Sequence, residues 1–429
     1  MNVATSTLNH TLLPSVNPPA MEPERPLART LRPMPRAASR LLDWLGELRF
    51  GSLAIELPDG TTCTLGEAGA IDGTHARLIV RDWTLFEDVL ARGDIGFGES
   101  YIDGAWESPD LTSLLTLLNR NREILGRAIH GHAWSLLIER LRHFRNANTR
   151  AGSRRNIMAH YDLGNDFYAQ WLDPTMSYSS ALFTKSTDTL AEAQVAKYRR
   201  IATELGIRPG DTVLEIGCGW GGFAEVAVRE AGARVTGITL SPAQLAFAQE
   251  RMRRAGLADH VTLELTDYRD LPQRTERYDH VVSIEMFEAV GERWWPTYFD
   301  TVQTLLKPGG QAMVQSITIA NALFSSYRKG TDFIQRHVFP GGMLPSPDAF
   351  RRAAARAGLV TRDNFAFGRD YARTLALWKH DFNVRWSAVA AQGFDERFRR
   401  LWNFYLSYCE AGFATGSTDV MQFHLVREK

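Results

Sequence analysis

Cysteine is scarce: Cys63, Cys218 and Cys409 are the only three in 429 residues, and they lie far apart. That spacing supports neither a disulfide framework nor a zinc site, and it suits a reducing cytoplasm. Net charge is also lacking, since 49 basic side chains meet 49 acidic ones. No global field therefore draws the chain to nucleic acid. Long apolar runs are missing too. None reaches membrane-spanning length, and the first residues lack the charged-then-apolar layout of a signal peptide, so any membrane contact is expected to be peripheral. No internal repeat is evident.

What is present suffices for two domains. Residues 1–36 carry many prolines and few large apolar groups, which reads as a disordered tail. Residues 37–120 read as a small α+β domain, with strand-like pieces at Gly51–Leu57 and Ala76–Val80 separated by the turn Pro58-Asp59-Gly60. A helical pattern follows from Trp83 to Leu118. The glycines between Gly93 and Gly98 interrupt it and read as a loop between two helices, because no strand precedes them. Residues 121–155 are rich in arginine, with Trp134, Leu137, Ile138, Leu141 and Phe144 at helical spacing. This linker is basic and amphipathic: a surface helix packed on one face, or a patch that meets anionic lipid head groups.

From residue 156 to 429, strands and helices alternate. Apolar strands are expected at Val213–Ile216, Ala233–Thr239, His260–Thr266, Tyr278–Ile284 and Gln311–Thr318, with helices at Pro242–Ala255 and Trp294–Leu306 and a turn at Lys307–Gly310. That order implies an α/β fold with a doubly wound, Rossmann-like sheet. Gly217, Gly219 and Gly221 sit between the first strand and a helical pattern, where a missing Cβ lets backbone N–H groups approach a ligand. A dinucleotide site would want an acid at the tip of the next strand, yet that strand ends Thr239-Leu240-Ser241. No Gly-Lys-Ser/Thr follows, which excludes a Walker phosphate loop. Glu215 stands two residues before Gly217, and acid-then-Gly-x-Gly resembles the first motif of S-adenosylmethionine-dependent methyltransferases.

Further segments carry a closer resemblance. Val213–Gly222, Val235–Gln244, Asp267–Asp270, Met286–Gly291 and Phe339–Ser346 are similar to the cyclopropane-fatty-acyl-phospholipid synthase family. His160–Tyr168 and Trp171–Pro174 match it upstream, Phe367–Tyr371 and Tyr405–Cys409 downstream, and Gly98–Gly104 resembles that family's smaller domain. The resemblance implies a class I methyltransferase sheet that binds S-adenosylmethionine. Gly217 and Gly219 would line its methionine part, and Thr239, Leu240 and Gln244 its ribose and adenosine. Tyr268, with Asp267 beside it, would stack on adenine, and Tyr178 and Ser179 would close over the cofactor.

The implied reaction carries a methyl(ene) group to the cis double bond of an unsaturated phospholipid acyl chain and closes a cyclopropane through a carbocation. It needs a dry apolar tunnel, and the aromatic segment Ile319–Pro345 suits a lid over a chain-like substrate. In the family a bound bicarbonate is the base. Glu288 and Tyr371 match two members of its cage, Ile317 matches a backbone contributor, and Cys409 matches a cysteine sometimes regarded as catalytic. Two positions depart: Ser180 replaces a cysteine, and Gln315 replaces a histidine. Both still donate hydrogen bonds, but Gln315 cannot offer an anion a positive charge. The departures leave three further readings: a relative giving methyl-branched or methylene products without ring closure, a non-catalytic lipid-binding relative, and a methyltransferase for dissolved small molecules. The resemblance also implies a homodimer, peripheral on the cytoplasmic face of a phospholipid bilayer.

Overall fold

The computed structural model describes residues 34–66, 74–124 and 163–428. The N-terminal tail expected at 1–36 and the basic linker expected at 121–155 fall almost entirely outside them. Two sheets organise the rest. The smaller holds β1 (Ser52–Glu56), β2 (Thr62–Gly66), β3 (His75–Val80) and β4 (Trp106–Glu107) in the order β2-β1-β3-β4. The turn at Pro58–Gly60 closes the β1–β2 hairpin, with Leu57 N–H donating to the Thr61 carbonyl at 2.8 Å. Strand β2 was not expected, because as an edge strand it buries nothing fully and its alternation rests on two apolar side chains, Cys63 and Leu65.

Helices α1 (Arg36–Leu45), α2 (Thr84–Ile102) and α3 (Leu111–Arg120) accompany this sheet. The glycine-rich loop expected between residues 93 and 98 is a kink instead. Only Gly93, at φ 59° and ψ −131°, leaves the helical region. Gly96 and Gly98 stay helical because the neighbours leave no room for a side chain. A Cβ on Gly96 would lie 2.1 Å from the Asp88 carbonyl oxygen, and one on Gly98 would lie 2.4 Å from the Phe333 ring.

The larger sheet contains β5 (Thr212–Ile216), β6 (Arg234–Thr239), β7 (Val261–Leu265), β8 (Tyr278–Ile284), β9 (Leu306–Ile319), β10 (Leu359–Ala366) and β11 (Thr418–Arg427), in the order β10-β11-β9-β8-β5-β6-β7. Strands β5 to β9 pair in parallel, and β11 lies antiparallel between β9 and β10. The helices of this half include α4 (Leu190–Leu205), α5 (Gly222–Ala231), α6 (Pro242–Arg254), α7 (Trp295–Leu305), α8 (Asn321–Tyr327), α9 (Phe333–His337), α10 (Pro347–Arg356), α11 (Gly368–Val384) and α12 (Glu396–Thr415), besides two short ones at Asn165–Tyr168 and Trp386–Ala390. This is the doubly wound α/β sheet that the alternation implied. The turn expected at Lys307–Gly310 is an irregularity within β9, where pairing jumps from Tyr278 opposite Leu306 to His280 opposite Gln311.

The N-terminal part does not keep a core of its own. Leu53, Ile55, Trp106 and Leu117 of the N-terminal part share one buried cluster with Trp378, Phe404, Leu406 and Phe413 of α11 and α12. Trp106 stacks on Phe97 at 4.2 Å, and Arg400 of α12 donates to the carbonyls of Tyr101 (2.6 Å) and Trp106 (2.9 Å). From Pro35 onward the described residues make one compact unit.

Candidate active site

The glycine turn after β5 forms one wall of a crevice at the carboxyl ends of the parallel strands, where open α/β sheets bind ligands. Gly217 and Gly219 have φ of 85° and 51°, a region side chains disfavour. The amides of Gly217 and Cys218 both donate to the Ile238 carbonyl at 2.9 Å, which ties the turn to β6. A Cβ on Gly219 would meet nothing within 4 Å, so that backbone faces open space. The crevice is a cavity of about 160 Å³. Tyr178, Ser179, Gly217, Gly219, Thr239, Leu240, Gln244, Asp267 and Tyr268 all line it, so the structure brings every expected cofactor residue together.

Their hydrogen bonds divide the labour. The Thr239 hydroxyl donates to Gln244 Oε1 at 3.0 Å and accepts from the Ser241 amide at 3.1 Å, while Ser241 caps α6. The Asp267 carboxylate is engaged with its neighbour, accepting from Arg269 N at 3.0 Å and Nε at 2.8 Å. Tyr268 is buried, and burial pushes its phenol up to about 12, so it offers a neutral aromatic face. Glu215 is buried, and its Oε2 has no hydrogen-bond partner among the described residues. Burial raises that carboxyl well above its usual range, with Arg251 opposing. An open backbone cradle, an uncovered carboxyl oxygen and a buried aromatic fit an aminoacyl nucleoside such as S-adenosylmethionine.

Lys197 was not anticipated. Its ammonium is buried in α4 and donates to Ser179 Oγ at 2.6 Å and Gln194 Oε1 at 2.5 Å. Burial pushes it down to about 8, against the pull of Glu285. Its only sequence signal is a lysine on the same helical face as Ala193, Tyr198 and Ile201.

A second, apolar cavity of about 650 Å³ reaches from the crevice into the small sheet. Leu41, Leu45, Leu53, Leu78 and Val89 wall one end; Leu323, Tyr327 and Phe339 of the segment 319–345 and Tyr405, Cys409 and Phe413 of α12 wall the rest. Phe333 and Phe324 of that segment do not line it; Phe333 packs instead against Phe404 at 4.5 Å. The two cavities share Tyr178, Glu285 and Ala289. The Tyr178 and Tyr405 hydroxyls meet at 2.7 Å across this junction.

Glu285 is the residue that sequence reasoning passed over. Its Oε1 accepts from the Ser180 amide and from Gln315 Nε2, each at 2.8 Å, and its Oε2 accepts from the Tyr371 hydroxyl at 2.7 Å. Glu288 was expected to share a cage with Tyr371, Ser180 and Gln315; those three converge on Glu285 instead. Ser180 contributes its amide, while its hydroxyl turns to the Ala181 carbonyl at 3.0 Å. Gln315 is held from behind: Arg200 donates to Gln422 Oε1 at 2.7 Å, and Gln422 Nε2 donates to Gln315 Oε1 at 3.0 Å. Because a guanidinium only donates, this chain fixes which way both amides face.

Glu288 lies in the apolar cavity, with Oε1 accepting from the Ile317 amide and from Ser316 Oγ at 3.2 Å. Its Oε2 has no hydrogen-bond partner among the described residues. Burial, aided by the Glu285 charge, pushes this carboxyl up to about 8. Cys409 lines the same cavity, where burial raises its thiol and keeps it protonated, as a wall rather than a nucleophile. A usable signal for Glu285 was its place directly after β8, one helical turn before Glu288.

Seven strands in this order, with a glycine turn after β5 and a crevice suited to a methionine nucleoside, define a class I S-adenosylmethionine-dependent methyltransferase. The chain belongs to the mycolic acid cyclopropane synthetase family, whose sequence model matches residues 148–423. It is 40% identical over 391 residues to the tuberculostearic acid methyltransferase UfaA1 of Mycobacterium tuberculosis, covering 88% of each chain. It is 36% identical over 367 residues to the cyclopropane-fatty-acyl-phospholipid synthase of Escherichia coli K12, covering 83% of this chain and 90% of that one. Among solved structures, the mycolic acid cyclopropane synthase CmaA1 complexed with SAH and CTAB is 32% identical. That likeness has a TM-score of 0.59 and covers 64% of this chain and 98% of that one.

Proposed function

We propose that this enzyme methylates the cis double bond of an unsaturated phospholipid acyl chain, at the surface of a bilayer, and carries the product on to a cyclopropane or a methylene branch. The observation that carries this reading is the meeting of a nucleoside-sized crevice with a long apolar cavity at Tyr178, Glu285 and Ala289. S-adenosylmethionine, when bound, supplies an electrophilic methyl group on a positively charged sulfur. Gly217, Gly219, Thr239, Gln244 and Tyr268 hold and orient it. The leucines and phenylalanines of the larger cavity hold the chain straight and keep water from the cation that methylation creates. Holding the two partners in line supplies about 7–11 kcal/mol of the barrier in well-oriented cases. Among the described residues no helix is long and apolar enough to cross a membrane, which is compatible with a chain drawn in from the bilayer surface.

The test uses vesicles of a cis-monounsaturated phospholipid and methyl-labelled S-adenosylmethionine. Acyl chains that gain one CH₂ unit, with the label in it, support the reading. Label taken up by dissolved amines or phenols, with the lipid unchanged, overturns it. Catalytic hydrogenation then separates the products, since a methylene group takes up hydrogen more readily than a cyclopropane does. The 40% identity to a protein named as a methyltransferase keeps the branched product in view beside the ring.

A further inference from the structure

We propose that the carboxylate of Glu285 is the built-in proton acceptor of this reaction and occupies the place that a borrowed bicarbonate would need. The inference rests on the function proposed above. Its first support is position, since Glu285 lines both cavities at their junction, where the methyl and the double bond must meet. Its second is hydrogen bonding. The Ser180 amide, the Gln315 amide and the Tyr371 hydroxyl already bind its two oxygens at 2.7–2.8 Å.

A bicarbonate does not fit this site. The donors that would cage it are used, and a bicarbonate would stand against the Glu285 carboxyl with a second buried carboxyl, Glu288, close by. The backbone gives a third support. Glu285 has φ 50°, a left-handed conformation that side chains disfavour. Its amide donates to the Gln315 carbonyl at 2.8 Å, which locks the turn that aims the side chain.

The step balances without another reagent. Methylation leaves a cation on the neighbouring chain carbon. A C–H bond of the new methyl breaks, and its proton goes to a Glu285 oxygen. The electron pair of that bond forms the ring-closing C–C bond or, once a hydride has shifted to move the cation onto the methyl-bearing carbon, the second bond of a methylene group. Glu285 is left neutral and releases its proton to water once the product departs. Burial raises the proton affinity of this carboxylate above that of one in water, and Lys197 and the three donors oppose that rise.

The experiment compares the full-length protein with Glu285→Gln and Glu285→Gly, the second chosen because glycine tolerates the left-handed backbone. Retained binding of S-adenosylhomocysteine confirms that both variants fold. Line broadening of ¹³C-bicarbonate is expected with Glu285→Gly and not with the wild type. In CO₂-free buffer the wild type is expected to turn over vesicle lipid at the rate seen with added bicarbonate, and Glu285→Gln about 100-fold more slowly or worse. Added formate or bicarbonate is expected to restore part of the rate of Glu285→Gly. Bicarbonate bound or required by the wild type overturns the proposal, as does a Glu285→Gln rate within threefold of wild type. If the wild type leaves lipid unmethylated, the functional reading fails, and the ¹³C measurement still decides whether Glu285 fills the anion site.

Discussion

Glu285 and Glu288 are three residues apart and burial raises both carboxyls, yet their hydrogen bonding differs. Three donors converge on the first, while the second keeps one oxygen without a partner among the described residues. Glu288 therefore stays largely neutral at physiological pH, with its carboxyl pushed from 4.5 up to about 8. A carboxyl raised on folding favours the folded state most at acid pH. That contribution is fully present below about 4.5 and is lost as pH rises through about 8. Glu288→Gln, which stays neutral throughout, is expected to lose less stability than the wild type between pH 5 and pH 8.5. Urea denaturation at those two values measures it, and equal losses would mean that Glu288 is already ionised at pH 5. Glu288 and Tyr371 were legible because each sits in a contiguous motif. Glu285 was not, since its partners lie 105, 30 and 86 residues away and its aim depends on a backbone angle.

Among elements, the parallel strands were the most legible. The central strands β5 and β8 are buried on both faces, so Val213–Ile216 and Tyr278–Ile284 read as largely apolar runs that end within a residue or so of the observed strands. Helix α2 was not, because its glycines answer to distant neighbours rather than to local turn chemistry. Gly98 lies against the rings of Phe333 and Phe404, whose centroids are 4.5 Å apart. Gly98→Ala forces the Phe333 ring to move, and overpacking of this kind costs about 1–3 kcal/mol. The expected result is a lower urea midpoint, together with a raised KM for vesicle lipid because α9 walls the apolar cavity through Ile334 and Gln335. Unchanged stability in this variant would show that Phe333 has room to yield.

At the scale of the whole molecule, the boundary read near residue 120 separates two sheets, yet the small sheet shares its core with α11 and α12. What joins them is α12, which closes the apolar cavity opposite α1, β1 and β3. The small sheet thus walls the apolar cavity, and if the proposed acyl chain lies there, filling its end should shorten the chain that fits. Val89→Phe is expected to slow conversion of long unsaturated chains severalfold more than short ones. Mass spectrometry of vesicles holding both measures the ratio, and an unchanged ratio would place the chain elsewhere. The sequence could not show this union, because the pairs that make it, such as Thr112 with Glu410 at 2.9 Å, are 298 residues apart. Ribosomes add about 5–20 residues each second, so roughly 15–60 seconds separate the synthesis of those two partners. Throughout that interval the apolar face of the newborn N-terminal segment waits for its covering helix, which makes it a natural client for a chaperone before the enzyme is whole.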